Sequence, residues 1–239
     1  MPLGRAAGPT LVAAALCLVS ACGGGSGTVA ATPSASVAAS DDSAIRPDCL
    51  NDDERSKGDP PGPLVALMGS GPKGVVFAPQ LGDDACQWIE KARELAGKGY
   101  HTATFSWGDP AQDSLPAAVA RLRAEGATKI VLVGASAGGG VVLQEAGGLE
   151  GVAGVVALSP VDVYGGMPGL AAYKGPLLLV TAEDDTNPPL QMVKQYADQH
   201  PGSEQFIKIP GNAHGVVLLA GDEKLNATID AFITGNLGP

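Results

Sequence analysis

Three short stretches of this 239-residue chain carry side chains suited to nucleophilic acyl chemistry. The first is Gly134-Ala135-Ser136-Ala137-Gly138, a serine set among small residues. Upstream, Thr128-Lys129-Ile130-Val131-Leu132-Val133 is short, β-branched and apolar, the composition of a buried parallel strand. Downstream, residues 139–146 can continue as a helix. A G-x-S-x-G sequence at a strand-to-helix turn lifts the hydroxyl clear of the sheet edge, and small flanking residues permit the strained backbone this requires. The helix that follows aims its free N–H groups at any developing oxyanion.

The second stretch, Ala182-Glu183-Asp184-Asp185-Thr186-Asn187-Pro188-Pro189, is an acidic loop that follows the apolar run Leu177-Leu178-Leu179-Val180-Thr181. The third, Pro210-Gly211-Asn212-Ala213-His214-Gly215, follows a strand-like run at 205–209. A serine hydroxyl is a weak nucleophile until a base takes its proton during attack. Imidazole, with an unperturbed pKa near 6.5, suits that task, and an aspartate can fix its tautomer and stabilise the imidazolium. Each stretch also has a plainer reading. Ser136 suits a glycine-rich helix start, the acidic pair suits a helix cap before Pro189, and His214 suits an ordinary loop.

These loops need elements to hold them. Apolar runs at 64–68, 74–78, 101–105, 129–133, 152–158, 176–181 and 205–209 predict about seven strands. Helices are predicted between them at 85–97, 115–125, 137–146, 189–199 and 222–233. Trp88, Ile89, Ala92, Leu95 and Ala96 form the one-sided stripe of an amphipathic helix. Alternating strands and helices imply an α/β domain, a mainly parallel sheet covered on both faces with right-handed crossovers. Such sheets bind their ligands at the carboxyl ends of the strands, where Ser136, the acidic pair and His214 all fall.

The order serine, acid, histidine, with these three loops, resembles the α/β-hydrolase family over about residues 62–236. Further matches are Pro79-Gln80-Leu81-Gly82-Asp83-Asp84-Ala85-Cys86-Gln87-Trp88, where a first-strand loop runs into a tryptophan-bearing helix, Gly99-Tyr100 before the next strand, and the closing Ala231-Phe232-Ile233. The resemblance implies an α/β-hydrolase fold with Ser136 as nucleophile, His214 as base and an aspartate behind it. In relatives that aspartate is followed four residues later by proline, which fits Asp185 with Pro189 and equally Asp184 with Pro188. Asp185 is favoured, because relatives usually carry an acidic or polar residue just before the acid. Asp184 is the alternative. An oxyanion hole would then use the backbone N–H of Ala137 and that of Leu81. The chain departs from the family here, since Pro79-Gln80 replaces the usual His-Gly. Gln80 offers a side-chain amide as a further donor.

Only 17 residues, 159–175, separate the strands at 152–158 and 176–181, too few for the helical lid of larger relatives. Val161, Val163, Tyr164 and Met167 would form a low wall beside an open cleft. His101 and His200 read as surface or packing residues, and Trp107 as a packing residue or part of the site wall.

Ahead of the domain, Arg5 and the apolar run at 11–19 form a signal peptide too short to span a bilayer. It ends Val19-Ser20-Ala21-Cys22, which resembles the lipobox of bacterial lipoproteins and implies cleavage before Cys22 and acylation of its thiol. An ordinary secretory signal is the other reading. Residues 22–47, rich in Gly, Ala, Ser, Thr and Pro, cannot bury a core and read as a flexible tether. The expected organisation is therefore 1–21 signal peptide, 22–47 tether and 48–239 domain, anchored on the extracytoplasmic face.

Cys17 leaves with the signal peptide and Cys22 would carry lipid, so Cys49 and Cys86 remain. Two cysteines in an exported compartment predict one disulfide, with two free buried thiols as the alternative. No Cys or His spacing resembles a metal-ligand set, and no cofactor is expected. The formal net charge is −10, with no basic patch, which excludes a nucleic-acid partner. The expected partner is a small-molecule ester or acyl substrate; the sequence carries no signal of oligomeric state. The leading expectation is a surface-tethered serine carboxylesterase. A fold-bearing but inactive binding or scaffold lipoprotein, and an acyltransferase to a cell-envelope acceptor, are the alternatives.

Overall fold

Apolar runs without polar alternation require a sheet that is covered on both faces, and the computed structural model shows one. It describes residues 47–52, 54–58 and 60–238. Cys22, the expected signal peptide and almost all of the expected tether lie outside the described residues. The strands are β1 Arg55–Lys57, β2 Val65–Met68, β3 Lys73–Ala78, β4 His101–Phe105, β5 Lys129–Ala135, β6 Val152–Leu158, β7 Leu177–Ala182 and β8 Glu204–Ile209. Among the described residues they form one sheet in the order β1-β2-β4-β3-β5-β6-β7-β8. β2 runs antiparallel to β1 and β4, and every other pairing is parallel. The eighth strand is the addition to the expected set. Arg55-Ser56-Lys57 has no apolar residue to announce it, and it pairs with β2 through backbone.

Side chains of each strand alternate between two cores. Val76, Ala78, Ile130, Leu132, Leu177 and Leu179 face helices α2 (Ser114–Ala124), α3 (Ala137–Glu145), α4 (Pro168–Ala172) and α5 (Leu190–Gln199). Val75, Phe77, Val131, Val133, Leu178 and Val180 face α1 (Ile89–Gly97) and α6 (Glu223–Leu237). The predicted helix at 85–97 divides. A 3-10 turn, Ala85–Trp88, precedes α1, started by the Asp84 carboxylate, which accepts from the Cys86 N–H at 2.8 Å. The Trp88 indole N–H donates to the Ala78 carbonyl at 3.0 Å, anchoring this turn to the end of β3. Cys49 and Cys86 are joined in a disulfide, with Cα atoms 5.7 Å apart, so the segment before the sheet is stapled to that same turn. Between β6 and β7 the only helix is the five-residue α4, and no lid rises over the carboxyl edge of the sheet among the described residues.

Candidate active site

Ser136 lies between β5 and α3 with φ 53° and ψ −120°, a backbone region that an L-residue occupies at a cost of about 1–3 kcal/mol. The surroundings hold it there. The Ser136 N–H donates to Leu158 at 2.8 Å, and its carbonyl accepts from Gly140 and Val161, both at 3.0 Å. Glycine is required on either side of the turn. A Cβ on Gly134 would collide with the Gly138 carbonyl, and one on Gly138 with the carbonyls of Ala78 and Pro79. Thus the pentapeptide spacing encodes a close approach of three backbones, with the serine hydroxyl left half-buried at the top of the sheet.

His214 follows β8, and its Nε2 lies 2.9 Å from Ser136 Oγ across 78 residues of chain. Its Nδ1 lies 2.9 Å from Oδ2 of Asp185. An ionised carboxylate only accepts, so Nδ1 carries the ring proton, Nε2 is the acceptor, and the Ser136 hydroxyl donates to it. Asp185 is buried, and its other oxygen, Oδ1, accepts from the Asn187 N–H at 3.0 Å. Asp184, the alternative acid, is exposed, and its backbone N–H donates to Gly211 at 2.9 Å. The structure therefore brings together Ser136, His214 and Asp185 and leaves Asp184 at the surface.

The oxyanion hole expected from the sequence draws on the N–H groups of Ala137 and Leu81. The α3 N-terminus begins at Ala137, whose N–H precedes the first intrahelical bond from Gly140. Gly138 packs on Ala78 and Pro79, which brings this helix end against the loop after β3. In that loop the Gln80 N–H is spent on Gln87 Oε1 at 2.8 Å, so Leu81 supplies the next N–H. The Gln80 side-chain amide reaches the histidine loop through its oxygen. Its Oε1 accepts from the Val216 N–H at 2.9 Å, two residues beyond the histidine.

The exposed large apolar side chains of the described residues follow the strands at their carboxyl ends. Among the described residues they are Leu81, Val163, Tyr164, Met192 and Val217, from the loops or first turns after β3, β6, β7 and β8. Val163 and Tyr164 sit on a loop fixed by Asp162, whose carboxylate accepts from the N–H groups of Tyr164, Gly165 and Gly166 at 3.2, 2.8 and 2.6 Å. Met167, expected in the same wall, is buried in the core instead. A shallow hollow of about 250 Å³ adjoins the acid and base, lined by Asp184, Asp185, Thr186, Asn187, Asn212 and His214. Larger hollows, between α2 and α3 and along α6, touch none of the three residues.

His101 and His200 are packing residues; His200 lies against the Tyr173 ring, and burial pushes its pKa below the ordinary value. Trp107 is half-buried, edge-on to Phe105, and its indole N–H donates to the Gln80 carbonyl at 2.9 Å. The network of Gln80, Gln87 and Trp107 goes beyond the sequence reading, which has Gln80 as a further amide donor and Trp107 as a packing or wall residue. Its one signal was the Pro79-Gln80 departure. No group of three His, Cys, Asp or Glu side chains converges as a metal site, and no helix is long and apolar enough to cross a membrane, among the described residues.

No family model matches this chain, and no curated protein does. Solved structures do. A predicted CIB-like hydrolase from Thermoplasma acidophilum superposes with a TM-score of 0.61 at 17% identity, covering 76% of this chain and 98% of the other. An esterase of Pyrococcus furiosus gives 0.60 at 15%, covering 77% and 90%. An alpha/beta hydrolase enzyme from a sediment metagenome of the Mar Chica lagoon, Morocco, gives 0.59 at 13%, covering 77% and 99%. At these identities the likeness is one of fold, and the chain has the α/β-hydrolase fold.

Proposed function

We propose that this protein is a serine hydrolase, a carboxylesterase that works through an acyl-enzyme and is tethered to the extracytoplasmic face of a membrane by lipid on Cys22. The observation that carries the catalytic reading is the strained Ser136, its Oγ 2.9 Å from a histidine that is itself 2.9 Å from a buried aspartate. Strain of this kind persists only where its surroundings enforce it, and it clusters at functional sites.

In the proposed reaction, Ser136 Oγ attacks the ester carbonyl carbon as its proton passes to His214 Nε2. Asp185 stabilises the imidazolium and keeps Nδ1 protonated. Negative charge collects on the former carbonyl oxygen, where the N–H groups of Ala137 and Leu81 receive it. Collapse breaks the C–O bond to the alcohol, which leaves with the proton from His214, and the acyl group remains on Ser136. Water then attacks the acyl carbon, losing its proton to His214, and the carboxylic acid departs as Ser136 regains its hydrogen. The lidless edge leaves the acyl-enzyme open to water, which favours hydrolysis over transfer to another acceptor. The apolar rim of Leu81, Val163, Tyr164, Met192 and Val217 supports a substrate with a hydrocarbon acyl or alcohol part.

Anchoring rests on the sequence: the Val19-Ser20-Ala21-Cys22 end of the signal peptide, and the tether to residue 47 that sets the domain at 48–239 off the bilayer. The test of the activity is turnover of p-nitrophenyl butyrate by the wild-type protein and by Ser136→Ala. Loss of the nucleophile costs several orders of magnitude in rate. A variant that keeps more than about a tenth of wild-type turnover contradicts the assignment.

A further inference from the structure

The loop that presents Leu81 and the loop that presents His214 are tied together by one side chain. Gln80 Oε1 accepts from the Val216 N–H at 2.9 Å and lies directly against Gly215, where a Cβ would collide with it. Of the two amide heteroatoms only the oxygen can accept from a backbone N–H, which fixes the orientation of the amide. The Gln80 main chain is held just as firmly. Its N–H donates to Gln87 Oε1 at 2.8 Å, and its carbonyl accepts from the Trp107 indole at 2.9 Å and from the Asp83 N–H at 3.2 Å. Gln87 in turn donates from Nε2 to the Asp83 carboxylate at 2.6 Å, closing the loop on itself. A rigid anchor on the β3 side thus holds the backbone next to the base on the β8 side.

We propose that Gln80 is a positioning residue. It sets the place of His214 relative to Ser136 and, through its own clamped backbone, the direction of the Leu81 N–H. This rests on the serine hydrolase reading and goes beyond it, because no general feature of the fold assigns a role to glutamine at this position. The departure at Pro79-Gln80 then reads as a different way of building the same corner. A side-chain acceptor braces the histidine loop, and Gly215, at φ 57°, leaves room for it.

The test uses the mature full-length protein. Second-order labelling of Ser136 by a fluorophosphonate, and kcat/KM for p-nitrophenyl butyrate, are compared between wild type and Gln80→Leu. Misplacing a catalytic group by a fraction of an ångström to an ångström costs about tenfold to a hundredfold, so both rates should fall by that factor. The end-point should remain one label per chain, showing that the elbow is folded. Gln80→Glu keeps an acceptor for Val216 but adds a negative charge one residue from the base. Stabilising the imidazolium should move the acid limb of the kcat/KM profile to higher pH by about half a unit to one unit. Rates within threefold of wild type in Gln80→Leu overturn the proposal. So does an acid limb that stays put in Gln80→Glu, or a labelling end-point that falls in step with the rate. A wild-type protein that takes no label at all overturns the hydrolase reading itself and this proposal with it.

Discussion

The chemistry of this site depends on how two adjacent aspartates are treated differently. Asp185 is buried, with one oxygen on His214 and the other on the Asn187 N–H, whereas Asp184 faces solvent. Replacing Asp185 by Asn offers an amide N–H where an acceptor is needed, so the imidazole would turn to the tautomer that cannot take the serine proton. Asp185→Asn should therefore lower turnover about 10⁴-fold, while Asp184→Asn should change it by less than about threefold. Steady-state hydrolysis of p-nitrophenyl butyrate by both variants checks the ranking, and the reverse order would move the role to Asp184. At this scale the sequence was informative, because Ser136, the acidic pair and His214 are chemically distinctive and each follows an apolar run. It named Gln80 only as a further amide donor and did not foresee its bond to a backbone N–H 136 residues away, because no residue type marks such a contact.

Elements with a continuous apolar run were legible for a physical reason: a strand buried on both faces has no polar position to blur it. β4 and β6 coincide with the predicted runs at 101–105 and 152–158. β1 was not visible, since Arg55-Ser56-Lys57 carries no apolar residue and its pairing with β2 runs through backbone. The break between the 3-10 turn at Ala85–Trp88 and α1 was hidden as well, because the apolar stripe of Trp88, Ile89, Ala92 and Leu95 runs through both. That turn follows directly on the loop carrying Leu81, and the Cys49–Cys86 bond staples it to the start of the domain across a sequence separation of 37. Closing such a loop stabilises the fold by about 4 kcal/mol in the chain-entropy account. For a domain of this size, the Cys49→Ala/Cys86→Ala double variant should melt about 10 °C lower by calorimetry. A melting temperature within about 2 °C of wild type would show that the bond contributes little to stability.

At the scale of the molecule, the proposed place at the cell envelope rests on the sequence ahead of residue 48. A diacylglyceryl cysteine carries two acyl chains, and two give stable anchoring where one is marginal. Cys22→Ala should release the protein from the membrane fraction or leave it unprocessed. A truncated form beginning at Asp41 should be soluble and as active as the anchored protein, since Ser136, Asp185 and His214 all lie within the domain. Fractionation followed by N-terminal mass spectrometry decides this. Wild-type protein found free in the medium with an unmodified N-terminus would replace lipid anchoring with ordinary secretion.

The central claim is that Ser136 is an activated nucleophile, and intact-mass analysis after fluorophosphonate treatment tests it most directly. One covalent adduct per chain, mapped to the peptide containing Gly134-Ala135-Ser136-Ala137-Gly138 and absent from Ser136→Ala, is the predicted result. A folded wild-type protein that gains no mass, or an adduct that persists in Ser136→Ala, would contradict it.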